Sequence, residues 1–403
     1  MACARGWAGD PDFTDIEAAP HNYRQRTPQD GFTKIKAALE SGQINLDQSS
    51  EKGFVLGLLK TLDIPVSSQM LVFSTTSLQL SLISPSNPRA LYFNEEVYLG
   101  YVPGGRIEIV GLDPELGGIY YIFEFPREGR PLGIERSERC MNCHAGEDTG
   151  HVPGLVIKSV VPGPTGGSLT AYRLGQTGHG IPIEERFGGW YVTGTPGHWR
   201  HFGNLIGRLS AGSLTTTPNP PGARFNFDKY PTGSSDLLPQ LLLEHQAGFV
   251  NRVVEASYRA RTALHAAHGE LTAMQVQELD QQAKLLTRYI LFAEEVKLPP
   301  PGVEGDAAFK AAFLRNRRAV SGISLKDFDL QTRLFKHRCS YMIYSPIFTG
   351  LPLPMKQRVY KCLERALSLS NPDPDYSFLP ASEKQAIRKI LKATLSDFSD
   401  GGL

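Results

Sequence analysis

The sequence predicts an α+β protein with a β-rich N-terminal part followed by an all-helical C-terminal part. Three observations predict it. From Ser67 the apolar residues fall in short β-branched and aromatic runs, each bounded by Pro, Gly, Asn or Asp. After Asp236 they recur three and four apart over long stretches. Between the two lies 208–235, rich in Ser, Thr, Pro and Gly, which reads as a linker or a long surface connection. The expected division is an N-terminal helical and irregular segment over 1–66, a β-rich part over 67–207, a linker over 208–235 and a helical part over 236–403.

The elements follow in order. Phe32, Ile35 and Leu39 recur at helical spacing and Gly42 stops them, so 32–41 is a short helix. Lys52 to Leu62 is a second helix, closed off by Pro65. Strands are expected at 70–73, 91–93, 97–101, 107–110 and 119–123, with hairpin turns at 94–96 and 102–105. The pattern is a meandering antiparallel sheet. Two more strands, 154–161 and 189–193, flank a Gly/Pro-rich loop. Leu237 to Ala267 is the longest helix, with Asp236 as N-cap and a stripe of Leu238, Leu242, His245, Phe249 and Val253. Further helices are expected at 272–296, 306–317, 340–348, 355–367 and 382–394, with Pro299-Pro300-Pro301-Gly302 as the one break.

Composition excludes some classes of function. The net charge is +1, which gives no reason to expect nucleic acid as a partner. No run of 18 apolar residues exists, so no transmembrane span is expected. The start, Met1 to Trp7, has neither a basic n-region nor an apolar h-region. Ala2-Cys3 can be read as the remnant of a lipoprotein cleavage site, with Cys3 as a lipid anchor, or as an ordinary cysteine near a terminus. Cys339 and Cys362 are candidates for a disulfide in an oxidising compartment, against the alternative of a buried free thiol at Cys339.

One motif stands out. Cys140-Met141-Asn142-Cys143-His144 reads C-x-x-C-H, the attachment signature of a c-type haem. Two thiols three positions apart form thioethers to the two vinyl groups of one porphyrin, and the adjacent histidine reaches the iron as proximal ligand. With five Cys and ten His in 403 residues, chance would produce the motif in about one or two sequences per thousand. A zinc site usually wants a second ligand pair, and none stands near. A thioredoxin-type dithiol wants a strand before it and a helix after it, whereas Arg136 to Arg139 and Ala145 to Gly150 read as loop. The motif therefore predicts one covalent haem c, held by Cys140 and Cys143 with His144 on the iron. Arg139, immediately before the motif, is a candidate partner for a haem propionate, as are Arg186 and Arg200. Covalent haem attachment takes place outside the bacterial cytoplasm, so a periplasmic or exported location is expected.

Several further stretches carry a resemblance: Pro65 to Ser74, Asn87 to Asn94, Cys140 to His144, Glu185 to Gly194, Arg200 to Asn204, Glu244 to Gln246 and Asp329 to Tyr344. Taken together, the chain from about residue 22 onward resembles a family of bacterial single-haem c-type cytochrome-domain proteins of the planctomycete type, a family with no assigned reaction. The resemblance implies a haem c and export.

The sixth position on the iron decides the chemistry. A strong His or Met ligand favours an electron carrier, and an open position permits peroxide, oxygen or nitrogen-oxide chemistry. His245, polar on an apolar helical stripe, and His201, in a loop after a strand, are the distal candidates. For His245 the alternative is a core histidine satisfied by a hydrogen bond, and for His201 it is a propionate partner or a surface group. Met70 reads as core. The first expectation is a periplasmic c-type cytochrome passing single electrons to a redox partner protein. The alternatives are a peroxidase-like or other haem oxidoreductase with an open iron, and a haem-based sensor.

Overall fold

The computed structural model describes residues 14–126, 132–172, 177–268 and 270–398. Two helices come first. In α1 (Gly31–Glu40), Asp30 caps the N-terminus, its carboxylate accepting from the amides of Phe32 and Thr33. In α2 (Glu51–Thr61), Ser50 plays the same part for Gly53. Strands β1 (Met70–Val72), β2 (Arg89–Phe93), β3 (Val97–Tyr101), β4 (Arg106–Asp113), β5 (Gly117–Glu124) and β6 (Glu135–Arg136) then run as an antiparallel meander. A long excursion follows. It carries the single helical turn α3 (Met141–His144) and a hairpin of β7 (Ser159–Pro162) and β8 (Ser168–Tyr172). It ends in β9 (Trp190–Tyr191), which pairs antiparallel with β1 and completes a seven-stranded sheet ordered β6-β5-β4-β3-β2-β1-β9. A second hairpin, β10 (Leu205–Ser210) and β11 (Ser213–Pro218), precedes the helices.

The sheet is covered on both faces, and strand alternation sorts the side chains between them. One face carries Leu71, Tyr92, Leu99, Tyr101, Ile107, Ile109, Tyr121 and Phe123, packed with Phe32 of α1 and Phe54, Val55, Leu58 and Leu59 of α2. The other carries Met70, Val72, Phe93, Tyr98 and Leu112, packed with the helical half. Its centre is α4 (Leu237–Ala266), buried on every side from Leu237 to Asn251. That degree of burial requires partners for its polar residues. Gln240 donates to the Tyr191 carbonyl over 2.9 Å, and Gln246 accepts from the Tyr98 hydroxyl over 2.9 Å and donates to the Tyr341 hydroxyl over 2.9 Å. Beyond α4 lie α5 (Ala273–Ile290), α6 (Ala307–Leu314), α7 (Pro346–Thr349), α8 (Leu353–Ala366) and α9 (Ala381–Thr394). The fold is α+β, β-rich first and helical after, as the change of period predicts.

Several expected elements come out differently: the strand expected at 189–193 shortens to Trp190–Tyr191, the helix expected at 272–296 ends at Ile290, and three others depart further. The 208–235 stretch holds most of the β10–β11 hairpin, and its end is stitched to the sheet. The Ser235 hydroxyl donates to the Tyr191 carbonyl and accepts from the Leu71 amide, and Thr193 exchanges backbone bonds with Ser235 and Leu237. Ser and Thr hydroxyls that look loop-like in composition serve here as sheet-edge partners. The strand expected over 154–161 narrows to β7, because the backbone groups of Gly154 and Leu155 are taken by His144 and by the Asn251 side chain and not by a neighbouring strand. The helix expected at 340–348 divides into a 3-10 turn at Tyr341–Tyr344 and the one-turn α7. Pro346 has no N–H and pushes Ser345 into the extended region, ψ 154°. Among the described residues no helix is long and apolar enough to cross a membrane.

Candidate functional site

The motif sits where β6 leaves the sheet. The Ser137 amide donates to the Tyr120 carbonyl, a 3-10 turn follows over Glu138–Cys140, and α3 holds the rest. Met141 is buried under this turn and anchors it. Cys140 is half-buried, Cys143 is exposed, and both are free thiols. Burial pushes the Cys140 thiol above its ordinary pKa.

His144 is fixed from two sides. Its ring packs on the Tyr120 ring, centroids 4.5 Å apart. Its Nδ1 lies 3.0 Å from the Gly154 carbonyl oxygen. An oxygen acceptor leaves Nδ1 only the donor role, so the hydrogen is on Nδ1 and the lone pair is on Nε2, which makes no hydrogen bond among the described residues. Desolvation of the ring brings its pKa down to about 4 and keeps it neutral. A neutral imidazole, tied at one nitrogen to a carbonyl and free at the other, is the arrangement of a metal-ligating histidine.

The Gly154 carbonyl is itself held. It accepts from the Tyr120 hydroxyl, and the Gly154 amide donates to the His144 carbonyl over 2.9 Å. From α4, Asn251 clamps the next residue, accepting from the Leu155 amide over 2.7 Å and donating to its carbonyl over 2.9 Å. A Cβ on residue 154 would lie 2.4 Å from the Asn251 Oδ1, so glycine is required there. The helical half thus sets the position of the loop that orients the motif histidine.

Segment 153–158 crosses the sheet face from β5 to β9: the Pro153 carbonyl accepts from Gly118, and the Lys158 carbonyl from the Trp190 indole over 3.0 Å. The same face carries the cross-strand row Phe93, Tyr98, Val110, Tyr120 and the adjacent row Met70, Leu91, Gly100, Glu108, Ile122. Leu91 and Val110, on interior strands of a sheet otherwise covered, are only half-buried. Gly100 presents no side chain between them. An apolar, partly open floor therefore adjoins the motif. Next to it Arg89 pairs with Glu108, Nη1 to Oε2 at 3.1 Å, and Glu108 also accepts from the Ser77 hydroxyl and the Gln79 amide.

The other candidates, apart from Arg139 in the turn that leads into the motif, are placed elsewhere. His245 is fully buried, and both its nitrogens are engaged: Nδ1 with His179 Nδ1 at 2.8 Å, Nε2 with Ser340 Oγ at 2.8 Å. Its ring is enclosed by His179, Phe292 and Tyr289. His201 Nδ1 accepts from the Gly203 amide over 3.0 Å, which puts the hydrogen on Nε2 and leaves no free lone pair. Arg186 is buried in an ion pair with Glu244, Nη1 to Oε2 at 3.1 Å, and donates to the carbonyls of Ile181 and His179. Arg139 and Arg200 are exposed. Met70 is core. Cys339 is a buried free thiol and Cys362 a partly buried one. Cys3 lies outside the described residues.

Two residues escaped the sequence reading. Arg89 follows Asn87-Pro88 at the head of a strand, where a charge on the alternating pattern was the available signal. His179, between two glycines, belongs to no periodic pattern, and nothing in the sequence pairs it with His245 across 66 residues. Among the described residues no three or more His, Cys, Asp or Glu side chains gather in a way that could hold a metal ion. Comparison of the chain with protein-family models, with curated proteins and with solved structures returns no match.

Proposed function

We propose that this protein is a c-type haem protein, exported to a compartment such as the periplasm, carrying one haem on Cys140 and Cys143 with His144 as the proximal iron ligand. One observation carries the reading: of the three histidines singled out as iron ligands, His144, His201 and His245, only His144 keeps an unshared Nε2 lone pair, because the Gly154 carbonyl holds its Nδ1 hydrogen. Both motif cysteines are free thiols, and the apolar sheet floor at Leu91, Gly100 and Val110 suits the face of a porphyrin. When bound, the haem supplies a one-electron ferric/ferrous couple. The chain's own part is to hold the imidazole neutral and oriented, to exclude water with the Tyr120 and Leu155 side of the site, and to set the potential through burial and neighbouring charge. The use proposed first is single-electron transfer with a redox partner protein.

A second reading, a haem oxidoreductase or sensor with an open distal position, is favoured by the engagement of both distal candidates. His245 would have to give up a buried hydrogen bond to bind iron, and His201 would have to shift its proton.

The test is to express the full chain behind an export leader with haem-maturation machinery, then record its denatured mass and its oxidised, reduced and CO-treated spectra. The expected result is one covalent haem with a c-type α-band, lost from the Cys140→Ala/Cys143→Ala variant. A narrow band unmoved by CO supports the carrier; a CO shift supports the open iron. A protein that carries no haem under these conditions would sink the proposal.

A further inference from the structure

Arg89 is an unusual arginine. Its Nη1 is spent on Glu108, but its Nε hydrogen is buried without a partner among the described residues. A buried, unpaired donor on a charged group is costly and needs an explanation. Nε and Nη2 form one edge of the guanidinium, two parallel N–H groups spaced to meet both oxygens of a carboxylate. The Nε atom lies 3.3 Å from where a Gly100 Cβ would be, so any side chain at residue 100 would crowd that edge.

The location is also informative. Arg89 shares the sheet face of Leu91, Gly100, Val110 and Tyr120, and the His144 ring rests on Tyr120 at the far side. From β5 to β2 is three strand spacings, about 14 Å, a span on the scale of a porphyrin. Glu108 is itself held by Ser77 and Gln79, so the guanidinium is braced before any ligand arrives.

We propose that the Nε–Nη2 edge of Arg89 is the docking point for a haem propionate, with Gly100 leaving room for the guanidinium to lie over the sheet and Glu108 setting its orientation. This inference rests on the haem reading. It moves the propionate contact away from Arg139, which is next to the motif in sequence but exposed in the fold.

The test uses the full-length, haem-loaded protein and its midpoint potential. Arg89→Gln removes a positive charge and a donor pair beside a propionate, which stabilises the ferric state. The reduction equilibrium constant is expected to fall about tenfold, or about 59 mV for one electron. Glu108→Gln is expected to shift it the opposite way, and Arg139→Gln to leave it unchanged. Should Arg89→Gln fail to accumulate, Arg89→Lys keeps the charge but not the planar edge and should give a smaller fall. Potentials unchanged in every Arg89 variant that still carries covalent haem overturn the propionate site alone. A wild-type protein without covalent haem, seen directly in its mass, overturns the haem reading and this inference with it.

Discussion

Imidazole tautomers separate residues that look alike in the sequence. A backbone carbonyl against Nδ1 forces the Nε2 lone pair outward at His144, whereas a backbone amide against Nδ1 does the reverse at His201. His245 shares one nitrogen with His179 and the other with Ser340. Substitution should sort them. His144→Ala is expected to abolish the six-coordinate or CO-reactive c-type spectrum while Cys140 and Cys143 still hold the haem. His201→Ala and His245→Ala should leave the spectrum in place. His245→Ala should instead lower stability by about 3 kcal/mol, since it empties a fully buried site and strands Ser340 and His179. Spectra and denaturation curves on the same samples check both halves, and a spectral change in His245→Ala would restore it as a ligand.

At the level of elements, the decisive contact joins α4 to the loop after α3. Asn251 closes both backbone groups of Leu155, and Gly154 fits only because it lacks a Cβ. Asn251→Leu keeps the branched outline and removes the clamp, leaving a buried amide and carbonyl unpaired. The expected cost is about 3 kcal/mol, measured by urea denaturation, together with faster amide exchange at Leu155 and Gly154. An unchanged midpoint would show that α4 does not brace the motif loop. The same contact explains why a helical half follows a sheet that already carries the motif: α4 positions the segment that orients His144.

Across the whole molecule, buried titratable groups dictate how stability responds to acid. Burial holds His179 and His245 neutral, with folded pKa values below the ordinary 6.5. Below pH 6.5 the unfolded chain therefore binds protons that the folded chain refuses, and stability falls as pH falls, by up to about 1.4 kcal/mol per unit for each histidine. Glu295 opposes this. Burial raises its carboxyl to about 7, so between 7 and 4.5 the folded state binds the extra proton and gains stability on acidification. His21 and His144, also lowered by burial, act in the same direction as this pair, so the histidines outweigh the carboxyl and leave a net loss. The urea midpoint at pH 5 is expected below that at pH 7, with a steeper fall under pH 4.5, where the carboxyl no longer compensates. A midpoint that rises toward pH 5 would contradict the neutral histidine pair.

The sequence by itself determined the α+β class, the meander and the extent of α4 with its Asp236 cap, because each of these is written in local periodicity or local turn chemistry. The linker at 208–235 misled because Ser, Thr, Pro and Gly look the same in a loop and at a bonded sheet edge. Only the tertiary structure decided that His144 alone of the three candidate histidines keeps a free nitrogen, that Arg89 shares the face of the apolar floor while Arg139 is exposed, and that His179 meets His245. Those facts depend on hydrogen bonds that no period or motif encodes, whether between near neighbours, as at His201 and Gly203, or across many positions, as at His179 and His245, and a lone pair or an unpaired donor exists only relative to the neighbours that folding brings.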